Sequence, residues 1–345
     1  MLSGGFHGQY GIAHPYSEGN YGSGAACFYH IRPGFLMERH DMQDPPRSRQ
    51  KGKNSKETAA MKKDPIFLSV IGGSGVYKFP ALKDIESIEV DTPFGKPSSP
   101  IIIGTLQGKK VAFLARHGEG HVLTPSEVNY RANIYALKQI GSRRIVSISA
   151  CGSLREDFEP GHFVIPHQVF DFTKSRKLSF FGDGMVGHIG SADPFCDDLR
   201  KSVHSAVQTS GAVVHDSGTY ITIEGPRFST KAESNIFREW GMSIIGMTAC
   251  PEVFLAREAG MCYATMAHVT DYDVWHVSEK PVSVEMVLKV AHKNTQTAQK
   301  AIQNLVEILP PVSHCTCWDS LNNAVLTDPQ HIPEATRENL KVVFD

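Results

Sequence analysis

Arg144-Ile145-Val146-Ser147-Ile148-Ser149-Ala150, closed by Cys151-Gly152, is the stretch on which the fold turns. A short apolar run rich in β-branched residues and stopped by glycine reads as a buried strand. The same reading fits residues 66–71, which run into Gly72-Gly73-Ser74-Gly75, and residues 220–223, 243–247 and 262–269. Residues 101–106 and 110–115 flank Gln107-Gly108 and predict a hairpin. Helical spacing covers residues 126–139, with Pro125 suited to the first turn, and residues 194–210, 231–240, 251–259 and 283–309. Strands alternating with helices predict an α/β domain with a mixed central sheet, largely parallel in its later part, and helices on both faces. No Pro/Gly/Ser-rich linker interrupts residues 65–310, so a single domain over residues 65–311 is expected.

The flanks read differently. Residues 1–64 show no sustained period of 2 or 3.6, and residues 47–63 are basic and polar. Such a segment buries too little apolar surface to offset its ordering entropy, so a disordered extension is expected. Glu18, Glu38, Asp41 and Asp44 argue against a transit peptide, and Met61 suggests an internal start. Residues 312–345 read either as a loosely structured tail or as a partner-contacting arm.

Basic and acidic side chains number 35 and 36, which excludes a nucleic-acid footprint. No apolar run reaches the roughly 18 residues of a membrane span. With no targeting signal, a cytoplasmic address is expected, with the nucleus as a second compartment. The seven cysteines are scattered, which fits reduced thiols. Cys315 and Cys317 form a C-x-C pair beside His314, but no second pair has C-x-x-C spacing, so no metal is expected.

Chemically able residues gather after strand ends, where open α/β sheets bind ligands. Gly72-Gly73-Ser74-Gly75 offers backbone N–H groups and a hydroxyl to an anion. Ala115-Arg116-His117-Gly118 adds a planar guanidinium fork and an imidazole donor. Ser149-Ala150-Cys151-Gly152-Ser153 makes a third such corner, and the three together suggest a free phosphate. Met247-Thr248 sets a flexible apolar side chain beside a hydroxyl. Asp271 and Asp273, at i and i+2, project the same way if the chain stays extended.

These motifs, taken in order with Asp91-Thr92-Pro93-Phe94-Gly95-Lys96-Pro97-Ser98 and Ile223-Glu224-Gly225-Pro226-Arg227-Phe228-Ser229, closely resemble the 5′-methylthioadenosine phosphorylase family over residues 65–310. The resemblance implies the purine nucleoside phosphorylase fold, a homotrimer, and phosphorolysis of the nucleoside in purine and methionine salvage. It implies no metal or organic cofactor, with inorganic phosphate as co-substrate. By the same resemblance Ser74, Arg116, His117, Ser149, the Ala150 backbone and Thr248 hold phosphate. Met247 packs on ribose, and Phe228 and Ser229 frame the purine. Asp271 protonates N7, and Asp273 accepts from the 6-amino group. Val284 and Val287 line the methylthio pocket, which His188 of a neighbouring subunit closes. Ser149 and Gly246 stand where vertebrate relatives carry Thr and Asn.

Three other functions compete. A 6-oxopurine phosphorylase would favour an Asn donor over the two acids. A nucleosidase using water would not need the phosphate corners, and a binding protein without activity would not need the acids.

Overall fold

The computed structural model describes residues 65–73, 75, 79–276, 284–311 and 313–345, with the backbone alone at 284–289. The expectations for residues 1–64, including Met61, and for Ser74 therefore lie outside the described residues, as do those for the side chains of Val284 and Val287.

The strands in chain order are β1 (Leu68–Gly72), β2 (Lys83–Ile88), β3 (Ile101–Leu106), β4 (Lys109–Ala115), β5 (Arg144–Ser153), β6 (Phe163–Val164), β7 (Gln168–Phe172), β8 (Val214–His215), β9 (Thr219–Ile223), β10 (Ile244–Gly246) and β11 (Cys262–Asp271). The helices are α1 (Tyr130–Gln139), α2 (Asp197–Thr209), α3 (Lys231–Glu239), α4 (Glu252–Glu258), α5 (Val284–Ile308) and α6 (Glu334–Phe344). All the described strands join one mixed sheet, as the alternation predicts. β4, β1, β5 and β11 run parallel, β3 and β4 form the expected hairpin, and β10 enters antiparallel to β5 while pairing parallel with β9.

The central strands of the sheet are buried on both faces. β1 and β11 are buried along their whole lengths, so their sequences are apolar runs rather than alternations. One face packs against α1, α4 and α6, through Ile134, Leu137, Val253, Leu255 and Leu340. The other packs against α2 and α5, through Val203, Val207, Ile302 and Leu305.

Two helices begin later than their spacing predicts. Helix α1 starts at Tyr130 because Asn129 leaves helical geometry (φ −82°, ψ 75°) and caps it, its side chain accepting from Ala132 N–H. Residues 124–128 form a separate turn, closed by the Glu127 carboxylate on the Thr124 N–H and hydroxyl. Helix α2 starts at Asp197, with Asp197 and Asp198 in its first turn, rather than at residue 194. β2 has no buried face, so it left no apolar pattern to read.

The loose-tail reading of residues 312–345 does not hold. A 3-10 turn (Thr316–Asp319) leads to α6, whose Leu340 and Val343 join the core beside α1. Leu340→Ala is expected to cost about 2–5 kcal/mol in urea unfolding; an unchanged midpoint would restore the loose tail.

Candidate active site

The site forms where β5 changes neighbours. β1 pairs with β5 only as far as Ser147, and β10 takes the same edge at Gly152 and Ser153. Between them, residues 148–151 have β11 on one edge and no strand on the other among the described residues. A strand edge left uncovered in this way, with only the Ile148 carbonyl taken by Arg116 and the Cys151 carbonyl by Thr270, is what a topological switch point offers a ligand. Ala150 is exposed although it lies in the middle of a central strand. Ser147 and Ser149 share one face, 3.4 Å apart through their hydroxyls, and Ser149 Oγ lies 3.3 Å from Thr248 Oγ1 at the end of β10.

Arg116 follows β4 and is buried. Its Nε and Nη2 donate to the two oxygens of Glu252 at 2.8 Å each. Nη2 also donates to Ser147 Oγ at 2.6 Å, and Nη1 to the Ile148 carbonyl at 3.2 Å. Four of its five N–H groups are therefore committed, leaving one on Nη1. The guanidinium is not the free fork that the sequence suggests. Burial alone would lower its pKa, but the charge and hydrogen bonds of Glu252 outweigh that and raise it. Glu252 is fully buried and also accepts from Tyr263 Oη at 2.7 Å. Sequence reading missed Glu252, whose only signal was a carboxylate directly before the apolar run Val253–Ala256 of α4.

His117 differs in a similar way. Its Nδ1 lies 2.9 Å from the Leu123 carbonyl, so Nδ1 carries the hydrogen. Burial, with the Arg116 charge second, pushes its pKa down to about 4. At neutral pH it is an uncharged imidazole whose Nε2 accepts rather than donates.

Met247 is half-buried at the end of β10 and lies against Gly225, where an added Cβ would meet its sulfur at 2.6 Å. Gly225 has φ +69°, a conformation and an approach that suit only glycine. Arg176 fixes the surrounding loops, donating to the Met247 and Glu224 carbonyls at 2.7 and 2.8 Å. A Cβ at Gly246 would fall 2.0 Å from the buried Tyr220 hydroxyl. Phe228 is partly exposed and Ser229 buried, just before α3. A Thr230–Glu233 capping box opens that helix.

Asp271 ends β11 and Asp273 follows, both buried. The chain does not stay extended between them. Asp273 has φ +52°, and its N–H donates to Asp271 Oδ1 at 2.8 Å. The pair still converges: a Cβ at Gly152 would meet Asp271 Oδ1 at 3.0 Å and Asp273 Cβ at 3.3 Å. Thr270 Oγ1 donates to Asp271 Oδ2 at 2.6 Å. Burial raises the Asp271 pKa to about 6 and raises that of Asp273 as well. Among the described residues Asp273 Oδ2, Ser229 Oγ and Ser234 Oγ are buried without a well-formed hydrogen bond, although the Ser234 and Ser229 hydroxyls lie near enough to Asp273 to pull its pKa back down in part.

His188 is not part of this cluster in its own chain; it is exposed, and its N–H donates to the Ala324 carbonyl.

The sequence model of the Phosphorylase superfamily matches residues 68–307. The chain belongs to the phosphorylase superfamily. Within the superfamily it is similar to the S-methyl-5′-thioadenosine phosphorylase of Koribacter versatilis, 48% identical over 80% of this chain and 95% of the relative. The Hyperthermus butylicus S-methyl-5′-thioadenosine phosphorylase is 51% identical over 75% and 95%. A solved methylthioadenosine phosphorylase from an antarctic soil metagenomic library superposes with TM-score 0.77 at 43% identity, covering 82% of this chain and all of that one. The Schistosoma mansoni methylthioadenosine phosphorylase solved with adenine gives 0.68 at 39%, covering 70% and 91%.

Two outcomes test this geometry. Glu252→Ala strands a buried guanidinium and is expected to cost about 3–5 kcal/mol by urea unfolding, with Glu252→Gln milder. Asp271 binds its proton more tightly folded than unfolded. It therefore contributes stability below its ordinary pKa of 3.8 that is lost as pH rises through about 6. Asp271→Asn removes that loss, so its stabilisation relative to the native chain grows from pH 4 to pH 8, reaching about 3 kcal/mol at most. An equal effect at both pH values in thermal unfolding would refute burial as the cause.

Proposed function

We propose that the chain catalyses reversible phosphorolysis of S-methyl-5′-thioadenosine to adenine and 5-methylthioribose 1-phosphate. The observation that carries the reading is a pair of buried acids three residues along β5 from a pair of hydroxyls. Strand register sets Asp271 beside Gly152, and Ser149 lies three residues earlier, about 10 Å at strand rise. That span accommodates a ribose between an attacking phosphate and a leaving purine.

On this reading phosphate lies against the bare edge of β5. It accepts from Ser149, Thr248, the Ala150 backbone and the remaining Arg116 N–H, with Ser74 assigned to the same anion by resemblance. His117 Nε2 accepts the P–OH hydrogen of the incoming phosphate. A phosphate oxygen attacks the anomeric carbon as the bond to the purine breaks, and Asp271 delivers a proton to N7 of the leaving base. A carboxyl whose pKa is about 6 is well matched to that transfer near neutral pH. Asp273, whose buried Oδ2 has no well-formed hydrogen bond among the described residues, accepts from the 6-amino group, which favours a 6-aminopurine over a 6-oxopurine. Met247 packs on the ribose and Phe228 and Ser229 frame the base, with Val284 and Val287 assigned to the 5′ pocket by resemblance alone. The reaction uses no organic cofactor.

We also propose a homotrimer in which His188 reaches a neighbouring site, and a cytoplasmic address with the nucleus as a second compartment. No described helix is long and apolar enough to cross a membrane.

Adenine release from S-methyl-5′-thioadenosine by the purified chain is expected only with inorganic phosphate. Release without phosphate would make it a nucleosidase, and cleavage of inosine instead would refute the roles of both acids. Asp271→Asn is expected to lower kcat by about 10²–10⁴-fold. Ser149→Ala is expected to raise the KM for phosphate more than that for the nucleoside.

A further inference from the structure

The C-x-C pair that sequence spacing left without partners finds them in the fold. Cys315 and Cys317, around the 3-10 turn after α5, meet Cys196 at the start of α2 and Cys262 at the start of β11. The four Sγ atoms lie within 4.8 Å of one another, and Cys196 Sγ stands 3.8 Å from Cys315 Sγ. A regular tetrahedron of thiolates at about 2.3 Å from zinc has edges of about 3.8 Å. Cys196, Cys262 and Cys317 are buried, with Cys315 on the more open side. None of the four belongs to the site described above.

The surroundings are those of an anionic cluster rather than of four apolar thiols. Arg257 Nη1 points at Cys317 Sγ, 3.5 Å away. The buried Arg144 lies close enough to Cys262, Cys196 and Cys315 for its charge to act on them, and it donates to the Pro310 and Pro311 carbonyls. Among the described residues neither guanidinium has a carboxylate within 4.0 Å. A buried Arg144 and a half-buried Arg257, neither with a carboxylate partner, would be poorly neutralised beside neutral thiols. Beside a divalent cation with four thiolates, which carries a net charge of −2, they balance the charge, as outer partners of metal ligands commonly do.

We propose that Cys196, Cys262, Cys315 and Cys317 bind one zinc ion as a closed, structural site. Four S–H bonds break, four Zn–S bonds form and four protons pass to solvent, with no change of oxidation state. All four positions are protein thiolates, so no coordination site stays open for water or substrate, and the role is mechanical. The ion fastens the segment leading to α6 onto the edges of α2 and β11.

The test uses the full chain purified under reducing conditions. Inductively coupled plasma mass spectrometry is expected to find about one zinc per chain, retained through dialysis against EDTA. Chain produced with cobalt in place of zinc is expected to show strong thiolate-to-cobalt charge-transfer absorption. The double variant Cys315→Ser, Cys317→Ser is expected to lose the zinc and the cobalt spectrum and to unfold at lower temperature. If the variant fails to fold, zinc content and the cobalt spectrum of the unaltered chain still decide. Zinc well below one per chain with no cobalt spectrum would overturn the proposal. So would an intact mass lighter by four hydrogens, which means two disulfides. None of these readouts depends on the substrate of the enzyme.

Discussion

The buried ion pair between Arg116 and Glu252 is the constraint around which the site is built. Arg116 comes from the end of β4, Glu252 from the first turn of α4, and the pair also holds Ser147 and the Ile148 carbonyl of β5 and Tyr263 of β11. Two charges taken out of water at this depth persist only when geometry and hydrogen bonding are both nearly complete, and here they are. The arrangement fixes three strands and a helix relative to one another at the point where β1 leaves β5. The hydroxyls of Ser149 and Thr248 inherit their spacing from that frame.

Burial tunes the two ends of the site in opposite directions. It strips His117 of its charge and lets Asp271 keep a proton to about pH 6. Near pH 6 the Ser149 end thus offers hydroxyls and one guanidinium N–H, while the Asp271 end still holds a proton on part of the molecules. Both shifts follow from one cause, loss of water, acting on groups of opposite charge type.

Much of this was legible in the residues. The apolar runs that end in Gly, Ser or Arg marked β1, β4 and β5 because strands buried on both faces carry no polar alternation. The acids after β11 and the hydroxyl after β10 were visible for the same reason, as polar residues directly following apolar ones. What stayed hidden was pairing across distance. Nothing local says that Glu252 faces Arg116, 136 residues away. Nor does local spacing show that Cys315 and Cys317 meet Cys196 and Cys262. β2 escaped notice because all of its side chains except Ile88 face water, and α1 was drawn too long because Asn129, a capping residue, sits inside a helical rhythm.

Tyr220 and Gly246 leave a mark on how this sequence can vary. The tyrosine hydroxyl stands where any side chain at position 246 would begin, so the two positions share one volume on neighbouring strands. A side chain at 246 requires the Tyr220 ring to move aside or to be replaced by a smaller group. Whatever replaces this glycine is therefore negotiated with the tyrosine on the next strand, and the two positions vary as a pair rather than singly.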